Sequence, residues 1–295
     1  MKAVFMMLFL VAPVFAQDQS SLHKDMEFLT SPALKGRGAG TGSDMVAAIY
    51  VSERMKSLGY KVKIDSFSFV INGCTAQEAV SGVNVEAFQS GLIKNAKTII
   101  IGAHLDGASP SEEGEFVPAA DDNASGSAAL LYLAEKLSKK KWNHNMMLVA
   151  FGAEEKGLCG SLYFVITHSR KNYLYMINMD MVGRPTDGSL SVYIEGDDEN
   201  LELRRAFLEA NMTRAVDLTV KLGEYTKNKW EWWSDHYAFS KHRKSKIPAV
   251  MVNDGHINDI HTPADSLDKI DFEYMEKVVN LVYEALVELD KKDPN

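Results

Sequence analysis

The residues of this sequence that could do chemistry are carboxylates and imidazoles, each placed after an apolar run. His104 and Asp106 follow Thr98-Ile99-Ile100-Ile101, and Glu154 and Glu155 follow Leu148-Val149-Ala150-Phe151. Asp180 ends the run from Tyr173 to Met179, and His261 follows the run from Pro248 to Val252. Asp121 and Asp122 stand in Ala120-Asp121-Asp122-Asn123-Ala124-Ser125-Gly126. Imidazole with carboxylate is the donor set of zinc and similar divalent ions. Even three of these carboxylates with the two histidines exceed what one tetrahedral catalytic zinc needs, and they suit two metals bridged by one carboxylate. In the Glu154-Glu155 pair, neighbouring side chains on extended backbone point apart, so one can ligate while the other faces a water or substrate.

Each feature alone has a plainer reading. Glu154 and Glu155 can be solvated acids in the first turn of a helix. Asp121 and Asp122 can cap a helix that starts at Ser125, and Asp180 can be a turn residue. Their joint occurrence behind apolar runs is what favours a site. No Gly-x-Ser-x-Gly elbow offers a serine nucleophile, and two cysteines are too few for a thiolate zinc knuckle.

The elements that must position these groups alternate. Helices are expected over Ser21 to Leu34, Ser43 to Leu58, Ser125 to Lys139, Leu158 to Ser169, Glu199 to Met212 and Asp271 to Leu289. Lys61 to Val70 and Val83 to Phe88 read as half-exposed strands of a hairpin. Lys97 to Ile101, Met146 to Phe151, Tyr173 to Met179 and Pro248 to Val252 read as buried strands, with weaker ones at Leu190 to Glu195 and Leu218 to Leu222. Lys35 to Gly42 is glycine-rich but has no preceding strand and no Gly-Lys-Ser/Thr ending, so it reads as a turn and not a phosphate loop. The expected fold class is α/β: one doubly wound domain, a mixed central β-sheet flanked by helices, with ligands at the carboxyl ends of its strands.

Met1 and Lys2, the apolar stretch Ala3 to Phe15 and the small Ala16 read as a secretory signal over residues 1–16, cleaved before Gln17. The folded domain is then expected over 17–295, secreted or periplasmic, with no membrane association after signal cleavage. The chain of 295 residues is 46% hydrophobic and carries a formal charge of -8, so it has no basic footprint for nucleic acid. Secretion permits a disulfide between Cys74 and Cys159. The setting of Cys159 at a packed helix start favours a free thiol instead.

Gly102-Ala103-His104-Leu105-Asp106, the Ala120 to Gly126 motif, Gly152-Ala153-Glu154-Glu155-Lys156-Gly157, Asn178-Met179-Asp180-Met181 and His261-Thr262 resemble, in this order, the motifs of the secreted two-zinc aminopeptidases. That metallopeptidase family also includes folate-hydrolysing carboxypeptidases and, more distantly, glutaminyl cyclases. The resemblance implies that His104 and Asp180 hold one zinc, Glu155 and His261 the other, and Asp122 bridges them. It implies Glu154 as general base, Asp106 behind His104, and Asp121 behind the ligands. Two zinc ions per chain and a peptide substrate with a free N-terminus follow as expectations.

The chain departs from relatives that hold the oxyanion with a tyrosine, either directly before the last histidine or upstream of Ser234-Asp235-His236; Ile260 and Glu231 occupy those positions. Trp230, Trp232 and Trp233 could line a pocket for the first side chain of a peptide or simply pack. Arg184 could face the cleft or form an ion pair. Neither His236 nor His256 is expected as a ligand, and His23, His144, His168 and His242 read as surface residues. Two other activities fit the scaffold less well. A glutaminyl cyclase would use a single zinc with nearly a subset of these ligands, and a non-catalytic binding module would have lost ligands or base.

Overall fold

The computed structural model describes residues 20–69, 79–111, 114–186, 190–196, 200–214, 216–223, 234–241, 246–255 and 258–292. Its strands are β1 (Lys61–Phe69), β2 (Val80–Gln89), β3 (Thr98–His104), β4 (Asn145–Phe151), β5 (Tyr173–Met179), β6 (Ser191–Gly196), β7 (Thr219–Leu222) and β8 (Ala249–Asn253). Its α-helices are α1 (Ser21–Leu29), α2 (Ser43–Ser57), α3 (Gly126–Ser138), α4 (Cys159–Thr167), α5 (Leu201–Arg214), α6 (His236–Ser240) and α7 (Phe272–Leu289). The strands form one sheet in the order β1-β2-β4-β3-β5-β8-β6-β7.

The middle of that sheet, β4-β3-β5-β8, is parallel. All seven residues of β3 are buried, as expected for a strand with helices on both faces. Side chains alternate by face. Ile99 and Ile101 join a core with α1, α3 and α7, while Ile100 joins a second core with Phe151, Phe164 and Phe239 against α4 and α6. The sheet is mixed at both edges. The β1–β2 hairpin is antiparallel, as the alternation of its residues suggests, and so is the β6–β8 pair at the far side.

Register brings the chemistry to one edge. His104 pairs with Phe151, and Met179 with Val252. His104, the Glu154 turn, Asp180 and the segment after β8 therefore leave the sheet side by side, at the carboxyl ends of its parallel strands. The turn after β4 is packed tightly against α4. A side chain at Gly160 would collide with the carbonyl oxygen of Gly152 and with Asn84.

Three local expectations are corrected. Helix α1 stops at Leu29, not Leu34, because Ser31 takes extended backbone before Pro32, which opens a 3-10 turn. His144 is fully buried, not at the surface; Nδ1 lies 3.1 Å from Asp290, whose carboxylate also receives the amide of His144. Cys159 is disulfide-bonded, against the free thiol expected from its place at a helix start. The sequence's other cysteine, Cys74, lies outside the described residues, as do the signal segment, His242, His256, Glu231, Trp230, Trp232 and Trp233.

Candidate metal centre

Asp122 stands at the centre of the site. It belongs to Ala120–Ser125, a segment ahead of α3 in which Asp122 and Asn123 leave helical geometry (φ -107°, ψ 85° and φ -139°, ψ 45°). The Asn123 side chain fixes this turn, donating to the Met179 carbonyl at 3.1 Å and accepting the amides of Gly126 and Met181. Ser125 does not cap α3 through its side chain. Its hydroxyl donates to the Asp121 carbonyl at 2.7 Å and accepts the amide of Val182.

The two oxygens of Asp122 face different imidazoles. Oδ1 lies 3.2 Å from His104 Nε2, and Oδ2 lies 3.1 Å from His261 Nε2. The same His104 nitrogen is 3.2 Å from Asp180 Oδ1, and the same His261 nitrogen is 3.1 Å from Glu155 Oε2. All five expected ligands are thus brought together as two sets that share Asp122. Each ring nitrogen meets two carboxylate oxygens, although an imidazole N–H can serve one well. Donor atoms of His104, Asp122 and Glu155 fall within 4.8 Å of one another. Glu155 Oε1 is buried with no hydrogen-bond donor. An orphaned acceptor beside shared nitrogens is what a bound cation would satisfy, and the donor types fit zinc.

Charge argues the same way. Burial pushes the Glu155 carboxyl up to about 7, with Asp122 adding to the effect. Burial also pushes Glu154 well above the ordinary range; His104 pulls it back, and Glu155 and Asp180 push it further up. Burial opposes ionisation of Asp122, yet the hydrogen bonds from His104 and His261 hold it well below the usual carboxylate range. Hydrogen bonds to Asp122 and Glu155 raise His261 to about 10. For His104, burial works against the imidazolium, but Asp180 and Glu154 outweigh it and raise the ring well above its ordinary value. The cluster concentrates negative charge and attracts positive charge.

The residues behind this layer are placed as follows. His104 Nδ1 meets the main-chain oxygen of Asp106 at 3.1 Å, while the Asp106 carboxylate is 3.8 Å away. That carboxylate accepts the amides of Glu154 and Glu155. Asp121 points away from the imidazoles, and its Oδ1 accepts the amide of Gly183 at 2.9 Å. Ser234 donates to Asp180 Oδ2 at 2.5 Å and accepts from Asn178 at 2.6 Å. Arg184 is ion-paired with Asp259 at 2.8 Å. Beside the His261 half lies an open cavity of about 420 Å³, lined in part by Ser109, Ser111, Lys156 and Ile260.

Two buried residues at the site escaped the sequence reading, Arg37 and Asp265. Arg37 sits in the glycine-rich stretch read as a plain turn. Asp265 sits in the Thr262-Pro263-Ala264-Asp265 turn, where an aspartate is unremarkable. The only available signal was an arginine among glycines ahead of a helix, which says nothing of burial.

The model of the family described as peptidase family M28 matches residues 85–286. Among curated relatives, the alkaline phosphatase isozyme conversion protein of Escherichia coli (strain K12) is 30% identical over 161 residues, covering 49% of this chain and 46% of that protein. Aminopeptidase YwaD of Bacillus subtilis (strain 168) is 28% identical over 210 residues, covering 68% of this chain and 43% of that protein. The chain spans about half the length of these two relatives. Among solved structures, BSAP, a zinc aminopeptidase from Bacillus subtilis, superposes with a TM-score of 0.76 at 18% identity, covering 92% of this chain and 96% of that one. That likeness shows the fold.

Proposed function

The chain belongs to peptidase family M28, and from that premise we propose that it is a two-zinc aminopeptidase that removes N-terminal residues from peptides. The observation that carries the proposal is the division of Asp122 between two imidazole–carboxylate sets. His104, Asp180 and Oδ1 of Asp122 would hold one ion; His261, Glu155 and Oδ2 of Asp122 would hold the other. Bound there, zinc would acidify a water and polarise the scissile carbonyl. YwaD and BSAP, named as aminopeptidases, support the substrate class.

Glu154 is the general base in this reading. Its amide is tied to Asp106, which fixes the backbone that carries the side chain beside the cluster. Burial and the neighbouring carboxylates raise its proton affinity in the metal-free chain, and cations bound beside it would favour the ionised form that a base needs. Such a carboxyl can take a proton from water and hand it on to the leaving amine. Asp180 and Glu154 place negative charge beside His104, which suits the α-amine of a substrate. Ile260, where some relatives carry a tyrosine, lines the cavity with an aliphatic group and offers the oxyanion no hydrogen bond.

In this reading the enzyme works outside the cell or in the periplasm, which the signal expected over residues 1–16 supports. The decisive assay compares a leucine nitroanilide with its N-acetylated form, each with and without a chelator. Chelator-sensitive cleavage of the free amine alone is expected. Equal cleavage of the acetylated substrate, or indifference to chelator, removes the proposal. Release of ammonia from glutaminyl peptides with one zinc per chain would point to the cyclase instead.

A further inference from the structure

The loop that carries Asp122 is gripped on both flanks by charged side chains from elsewhere in the chain. Upstream, the carbonyls of Pro118 and Ala119 accept from Arg37 Nη1 at 3.1 Å and Nη2 at 2.8 Å. The same guanidinium donates to the carbonyls of Leu105 at 2.9 Å and Leu29 at 2.6 Å. It thus ties the segment after β3, next to His104, to the Asp122 loop. Downstream, the amides of Asp121 and Asp122 donate to Oδ1 and Oδ2 of Asp265 at 2.7 and 3.0 Å. The amide of Ala120 adds a bond of 3.3 Å to the Asp265 carbonyl. A carboxylate receiving two consecutive amides makes charge-assisted bonds in a fixed geometry.

Asp265 belongs to the same loop as His261. We propose that Asp265 is the positioning residue of the His261–Glu155–Asp122 set: it docks the loop of one ligand, His261, onto the backbone of the ligand it must share a cation with, Asp122. This rests on the two-cation reading above. The two imidazoles differ in what holds them. His104 ends a fully buried strand and is 1% exposed. The His261 side chain is 50% exposed, and its loop follows no strand end directly. Among the described residues, further side-chain ties of that loop include those from Arg184 and Lys269 to Asp259, a residue with a 28% exposed side chain. Asp265 is 1% exposed and reaches the ligand segment itself. Loss of its carboxylate therefore loosens His261 relative to Asp122 while leaving His104, Asp180 and the Arg37 brace in place.

The test is a titration of the metal-stripped full chain with zinc against a chromophoric chelator, for wild type and Asp265→Asn. Asparagine keeps the shape but turns an N–H₂ toward an amide that needs an acceptor. Wild type should take up two equivalents. The variant should take up the first at wild-type affinity and the second at least about tenfold more weakly, as removal of a group supporting a metal ligand typically does. Melting of the metal-free proteins checks folding; should Asp265→Asn not fold, the same titration on Asp265→Glu decides. Unchanged uptake of both equivalents, or equal weakening of both, overturns the proposal. Wild type taking up fewer than two equivalents instead defeats the two-cation reading on which it rests.

Discussion

The amide of Glu154 donates to Oδ1 of Asp106 across 3.0 Å, and the next amide, that of Glu155, donates to Oδ2 across 3.3 Å. Asp106 follows β3 and the glutamates follow β4, so one buried carboxylate locks the proposed base and a proposed ligand to the strand that ends in His104. Asp106→Ala should therefore lower both zinc affinity and turnover by about 10–100-fold with the fold retained. Steady-state kinetics and zinc content after dialysis check this. A loss confined to turnover would place Asp106 behind Glu154 alone.

Glu154 has a sharper signature. Glu154→Gln keeps the size of the side chain and removes its ability to take a proton. The expected loss in kcat is about 10²–10⁴-fold, with zinc per chain unchanged. If the metal content falls with activity, Glu154 is a ligand and not the base.

Metal removal should be visible in stability as well as activity. Ions bound to the folded chain alone stabilise it by about 2.7 kcal/mol at a free concentration one hundred times Kd. Stripping with chelator should lower the melting temperature, and added zinc should restore it in a concentration-dependent way. Calorimetry with and without zinc reads this directly. An unchanged melting temperature would show that these residues hold no ion.

Glu195 offers a pH test away from the centre. Burial raises its carboxyl from an ordinary 4.5 to about 7, with an opposing bond from Asn253. The folded chain then holds the proton more tightly than the unfolded chain, so stability from this group is full below about pH 4.5 and falls as pH rises to about 7. Glu195→Gln, which cannot ionise, should match wild type at pH 4 and exceed it by up to roughly 3 kcal/mol at pH 8. Urea midpoints at the two pH values measure the difference.

Asp290 carries the opposite sign. Burial disfavours its charge, but His144 and the amides of His144 and Asn143 hold it below the ordinary carboxylate range. The stabilisation is present above the unfolded pKa and is lost as pH falls through the folded one. Asp290→Ala should cost roughly 3 kcal/mol at pH 7, through the buried donors it leaves unpaired. The gap to wild type should narrow in acid.

What the sequence by itself determined is local and periodic. Apolar runs of the right length marked β3, β4, β5 and β8, and donor residues close behind the first three marked the edge where ligands gather. Hence His104, Asp180 and the Glu154-Glu155 pair could be named from one chain, because position along a strand end needs no knowledge of partners. Tertiary structure decided everything that depends on what is opposite. Asp121 and Asp122 are adjacent identical residues. Only the non-helical backbone at Asp122, pinned by Asn123, turns one toward two imidazoles and the other toward Gly183. Arg37 fell in a stretch read as a plain turn and Asp265 drew no reading, because their partners, Ala119 and Asp122, lie far off in sequence. His144 read as exposed for the same reason, since Asp290 comes from the far end of the chain. A buried charge is set by the group that packing brings to it, and no local pattern records that group.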